Sequence, residues 1–135
     1  MTNKPNGIGL GRVLKAYKCS MQGFSAAFKH ESAFRQELLL ATILLPISFF
    51  IATTGVQLAL LIAALIMVLL AEIINSAIEA VVDRVGLEHH ELSGRAKDMG
   101  SSAVFLALTL CAVIWAGVIY DVFIATDSFG DFLKF

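Results

Sequence analysis

Three long apolar blocks leave this chain few ways to fold. Residues 36–54, 58–82 and 99–121 hold most of its hydrophobic side chains. At 1.5 Å per residue each is long enough, or nearly so, to cross about 30 Å of hydrocarbon. Hydrophobic residues make up 58% of the 135, against roughly 45–50% in a soluble domain. Inside a bilayer, backbone polar groups must be satisfied within the segment, which makes these blocks helices. The expectation is an all-α helical membrane bundle, with residues 1–135 forming one membrane-embedded domain.

The N-terminal segment is of another kind. Residues 1–9 carry Pro5, Gly7 and Gly9 and no apolar stripe, and are expected as a flexible tail. Over residues 10–30, Leu10, Val13, Leu14, Tyr17, Met21, Phe24 and Phe28 recur at three- and four-residue steps, the period of one helix face. Arg12, Lys15, Lys18 and Lys29 lie off that face. A basic amphipathic helix beside a membrane span is expected to lie in the headgroup layer. The plainer reading is that its stripe packs on the protein's own helices. No signal-peptide core is seen, so insertion is expected through the spans themselves. Cys19 and Cys111 fall at different depths, which argues against a disulfide or a metal pair. No basic surface suits nucleic acid.

The second block is apolar only in its first half. Glu72, Asn75, Ser76, Glu79 and Asp83 fall on an arc about 100° wide on a helix. A polar contact between helices explains one or two such residues. Three carboxylates on one face repel each other unless cations or protons intervene, and a carboxylate in lipid costs a few kcal/mol. Carboxylates at the membrane interface suit a divalent cation. Magnesium in particular takes one or two carboxylates plus phosphate oxygens. Glu31, just before the first span, lies at about the depth of Glu79. The stretch 83–98, DRVGLEHHELSGRAKD, reads as a polar loop. Arg95 and Lys97 are phosphate-seeking cations, Gly94 permits close backbone approach, and Glu88, His89 and His90 offer edges to a base. The plainer reading is a solvated connector. A P-loop is absent, and His89-His90-Glu91 lacks the spacing of a zinc protease.

EIINSAIEAVVDR at 72–84, HELSGRAKDMGS at 90–101 and ESAFRQE at 31–37 closely resemble the bacterial integral-membrane diacylglycerol kinases, and the resemblance runs from about Arg12 to Trp115. It implies a homotrimer of three-span subunits in the bacterial cytoplasmic membrane, using Mg-ATP to phosphorylate 1,2-diacylglycerol to phosphatidic acid. It implies Glu72 as general base and Glu31 and Glu79 as magnesium ligands. Arg12, Cys19, Glu31, Glu79, Glu88, His89, His90, Lys97 and Asp98 are then expected at ATP, and Arg12, Glu72 and Ser101 at the lipid. Arg35, Gln36, Asn75, Asp83, Gly94 and Arg95 are expected to line the site. One position departs from the pattern. Cys19 stands where the family has a nucleotide-contacting tyrosine, and Tyr17 faces another side of the helix. Two alternatives remain: an undecaprenol kinase with the same catalytic residues, and a small transporter or channel subunit using Glu72 as a proton site.

Orientation follows from Lys and Arg near the span ends. Lys4, Arg12, Lys15, Lys18, Lys29 and Arg35 precede the first span. None separates the first two. Arg84, Arg95 and Lys97 lie between the second and third, and only Lys134 follows. The N-terminus and the 83–98 stretch are therefore expected in the cytoplasm and the C-terminus outside it. A C-terminal reporter active only outside the cytoplasm is the expected result; a cytoplasmic C-terminus would mean the spans are miscounted.

Overall fold

The computed structural model describes residues 9–86 and 88–125. Except for Gly9, the expected N-terminal tail lies outside them, as does the stretch from 126 onward with Lys134. Four α-helices follow in order: α1 (Leu10–His30), α2 (Ser32–Ile51), α3 (Gly55–Val85) and α4 (Glu91–Tyr120), the last running into a π-helical turn, Asp121–Ala125. No strand occurs among the described residues. α2, α3 and the α4 helix are long and apolar enough to cross a membrane. The chain is an all-α membrane protein.

α3 is 31 residues long, or about 46 Å at 1.5 Å per residue. It exceeds the hydrocarbon thickness by several turns, so its polar end projects from the lipid. α4 begins at Glu91, inside the stretch that reads as a loop in the sequence. The reason is local. His90 caps the helix, its Nδ1 accepting from the Leu92 N–H at 3.2 Å, and Glu91 places a negative charge in the first turn, where the helix dipole favours it. The connector shrinks to residues 86–90. Arg95, Lys97 and Asp98 thus stand on a helix.

At the opposite end, α2 stops at Ile51 and the chain turns through residues 52–54. Gly55 is the first residue of α3. Thr54 caps α3: its side chain accepts from Gln57 N at 3.2 Å, and Gln57 Oε1 accepts from Thr54 N at 3.2 Å, a reciprocal capping box. Gln57 Oε1 also accepts from Thr53 N and Thr53 Oγ1, each at 2.9 Å. Gln57 Nε2 donates to Asp121 Oδ2 at 2.6 Å. One glutamine therefore ties the α2–α3 turn to the end of α4.

α3 packs most extensively on α4, then on α2, whereas α1 touches α2 only slightly. The buried core is Leu61, Ala64, Leu65, Trp115 and Val118, with Ala41, Leu44, Cys111 and Ile114 packed against it. All of it lies toward the 52–54 turn. The stripe on α1 does not pack on the subunit's own helices. Leu10 is 80% exposed, Tyr17 64% and Phe28 52%, and Ala27 alone is buried on that helix. The face is available to a lipid surface. Cys19 and Cys111 are both free.

The Gln57 cluster generates a stability prediction. Gln57→Ala removes the side-chain half of the capping box, the bonds to Thr53 and the tie to Asp121 together, and leaves the Thr54 side chain its backbone donor. A loss of about 1–2 kcal/mol is expected, measured as a lower unfolding midpoint in detergent with unchanged helical content. No change in midpoint would show that the cluster is incidental.

Candidate functional site

The polar stripe of α3 does not serve a single surface. Helix packing distributes it among three cavities. Glu72, Asn75 and Glu79 open into a cavity of about 340 Å³, completed by Glu31, Ser32, Ala33, Ser101 and Val104. Ser76 faces a second, of about 360 Å³, between α3 and the end of α1, where Gly23, Ala27 and His30 line it; Glu31 borders this one as well. Asp83 faces a third, of about 380 Å³, around the connector, lined by Glu88, His89, His90, Ser93, Gly94 and Lys97. A fourth, apolar groove of about 570 Å³ runs between α3 and α4 from Met67 to Ile78 and from Ala96 to Leu110. Asn75 borders both this groove and the acidic cavity.

The acidic cavity holds three of the sequence-predicted carboxylates. Glu31 reaches it because α1 and α2 break there: its backbone is extended, and it caps both helices. Glu72 is 3% exposed and Asn75 8%. Asn75 Nδ2 donates to Glu79 Oε1 at 3.0 Å, which holds one oxygen of that carboxylate. Glu72 lies within electrostatic reach of Glu79 and Glu31. Among the described residues, no basic side chain lines the cavity. Hard oxygen donors that repel one another fit a divalent metal ion such as magnesium. No three His, Cys, Asp or Glu side chains among the described residues form a ready-made cage. Magnesium held there would complete its shell with water and phosphate oxygens.

The connector cavity has mixed charge. Lys97 Nζ lies 2.6 Å from Asp83 Oδ1, joining the end of α3 to the start of α4. Both side chains are substantially exposed, so the pair adds little to stability. His90 is committed through Nδ1 to the α4 cap, leaving the Nε2 edge of its ring for a ligand.

The remaining predicted residues are dispersed. Arg35 Nη1 donates to the carbonyls of Phe28 and Lys29 at 3.0 and 3.3 Å, satisfying the last turn of α1. Arg12 and Cys19 lie exposed on α1. Together with Gln36, Arg95 and Asp98, they border none of the four cavities of the single chain.

Two residues escaped the sequence reading. Glu37 reads as a helix start outside the lipid, but it sits in the second turn of α2. Its Oε2 is buried without a hydrogen-bond partner, and Glu72 is the charge that acts on it. An acidic residue at the head of a span is a weak signal by itself. The other is Gly100, buried against Asn75; no local motif marks it.

Comparison with known proteins supplies the family. The description "Prokaryotic diacylglycerol kinase" matches residues 18–119. A diacylglycerol kinase of Haemophilus influenzae is 47% identical over 112 residues, covering 83% of this chain and 95% of the relative. One from Pseudomonas aeruginosa is 50% identical over 82% of this chain and 90% of its own length. One from Escherichia coli K12 is 43% identical over 87% and 97%. With a match across most of its length and all three spans, this chain belongs to the prokaryotic diacylglycerol kinase family.

Proposed function

We propose that this protein is an ATP-dependent diacylglycerol kinase of the bacterial cytoplasmic membrane, transferring the γ-phosphoryl group of Mg-ATP to the hydroxyl of 1,2-diacylglycerol to give phosphatidic acid. The observation that carries the reading is the acidic cavity. Glu31, Glu72 and Glu79 share it, and the Lys97-lined connector cavity lies at the same end of α3 and α4. Relatives named diacylglycerol kinase support the same activity.

The chemistry divides by depth. Glu72 and Glu79 are two turns apart, or about 10 Å along the helix axis. Glu72, the deeper, accepts the proton of the lipid hydroxyl. The hydroxyl oxygen bonds to the γ-phosphorus as the bond to the β–γ bridging oxygen breaks, and ADP departs with that oxygen. Glu31 and Glu79 would hold the magnesium ion. When bound, it would neutralise phosphate charge, the main demand of a phosphoryl-transfer transition state. Lys97 exchanges Asp83 for a phosphate oxygen. Glu88, His89, His90 and Gly94 line the nucleotide's approach, with Arg95 and Asp98 on the adjoining helix. Ser101, in the acidic cavity, meets the lipid headgroup. Arg12 and Cys19 on α1, with Arg35 and Gln36 near the start of α2, complete the site in the assembled enzyme.

What one subunit leaves open supports assembly, in our reading as a homotrimer. The cavities are open-sided, and Phe49, Phe50, Phe105, Leu106 and Val113 are exposed. Sites at subunit boundaries would bring residues such as Arg12 and Cys19 to a neighbour's cavity. Mixing Glu72→Gln subunits with subunits inactivated at Lys97 is expected to restore part of the activity, measured as phosphatidic acid formed from labelled ATP. Complete absence of complementation would favour sites contained within one subunit.

The two carboxylate roles separate kinetically. Glu72→Gln is expected to lower turnover by about 10²–10⁴-fold, the usual value of a general base, with Mg-ATP affinity nearly intact. Glu79→Gln and Glu31→Gln are expected to weaken Mg-ATP binding, with partial rescue at high magnesium. The measurements are nucleotide titration and turnover across a magnesium series, with diacylglycerol and undecaprenol as acceptors. Loss of nucleotide binding in Glu72→Gln alone would reverse the roles. Preference for undecaprenol would change the substrate. Full activity in all three variants would overturn the kinase reading of this helix face.

A further inference from the structure

We propose that Gly100 is a positioning residue for Glu79, acting through the side-chain amide of Asn75. The inference rests on the reading of Glu79 as a metal ligand.

Among the described glycines, Gly100 alone has another part of the chain where its Cβ would be. A Cβ there would overlap Asn75 Oδ1, and would lie 3.3 Å from Asn75 Cγ and 3.8 Å from Asn75 Cα. The last distance is backbone on another helix. α4 therefore crosses α3 at Asn75 closely enough that the amide oxygen abuts the glycine. Small residues permit such approach between membrane helices.

The amide has two distinct ends. Nδ2 donates to Glu79 Oε1 at 3.0 Å. Oδ1 is buried with no hydrogen-bond partner and is the atom that meets Gly100. Turning the amide over would set its oxygen against the Glu79 carboxylate, which only accepts. The orientation is thus dictated by Glu79, and the unpaired oxygen is the cost of it. A buried polar atom left unpaired is destabilising, so the bond to Glu79 is what holds the amide in this orientation. The consequence at Glu79 is directional. With Oε1 held by the amide, Oε2 is the oxygen left to a cation. An added methyl at residue 100 displaces the amide, breaks its bond to Glu79 and frees the carboxylate to rotate.

The role is distinguishable from simple packing. Partners that orient a metal ligand are typically worth 10–100-fold in metal affinity. The readout is Mn²⁺ affinity of the full-length protein in detergent, measured by electron paramagnetic resonance with a non-hydrolysable ATP analogue present. Gly100→Ala is expected to weaken Mn²⁺ binding by about 10–100-fold, with an unfolding midpoint near that of the parent. Asn75→Ala is expected to weaken it by a similar factor. The double variant should match Asn75→Ala alone, because the contact is already gone. Multiplying penalties in the double variant would overturn the coupling. Unchanged Mn²⁺ affinity in a folded Gly100→Ala protein would overturn the proposal. Should Gly100→Ala not fold, unchanged affinity in Asn75→Ala does so equally. Glu79→Gln separates the two levels: if it binds Mn²⁺ as the parent does, the metal reading of Glu79 fails. If it loses binding while both other variants keep it, only the role of Gly100 fails.

Discussion

Carboxylates on a membrane helix must be covered, and the architecture follows from that requirement. α3 carries Glu72, Glu79 and Asp83 on one face, two of them along the part of the helix that α2 and α4 can cover. Exposed to lipid, such groups would oppose insertion by a few kcal/mol each. The answer in the fold is close packing of α4 over the face, an extended break at Glu31 that brings a further carboxylate alongside, and polar side chains at the contact. The cover is incomplete on purpose of geometry: three helices enclose the face only as open cavities. The same need that buries the acids leaves room beside them for ligands.

The spans and the acidic face are legible in the sequence because each repeats a pattern. Apolar length marks a span, and the offsets from Glu72 to Asp83 mark a face. What is not legible is how neighbouring helices divide that face. Ser76 turns toward α1, Asp83 toward Lys97, and Asn75 toward Gly100. Each depends on a partner more than twenty residues away or fourteen at the least, where periodicity carries no information. The start of α4 was hidden for a different reason. Its first two turns are polar, as befits a helix protruding from lipid, and polarity there reads as loop. The histidine cap and the acidic first turn are the local signal that was available.

Residues from the resemblance fare unevenly in a single subunit. Glu31, Glu72, Asn75, Glu79 and Ser101 share one cavity, and Glu88, His89, His90, Gly94 and Lys97 another with Asp83. Arg12, Cys19, Gln36, Arg95 and Asp98 stand apart. Their dispersal has a physical pattern: the first two lie on α1, whose apolar face finds no seat on its own subunit. Arg35, by contrast, is explained within the subunit, as the residue that closes the end of α1.

The Gln57 cluster and the Leu61–Trp115 core lie at one end of the α3–α4 pair, and the open cavities lie toward the other. Mechanically the pair is a cantilever. Its root is clamped by hydrogen bonds from one glutamine to both neighbouring segments and by the packing of Trp115 among aliphatic side chains just beneath them. Its free end carries the Asn75–Gly100 crossing and an exposed ion pair. The hydrogen-bonded clamp therefore lies far from the cavities, and a small angular change at the root would become a larger displacement at the tip.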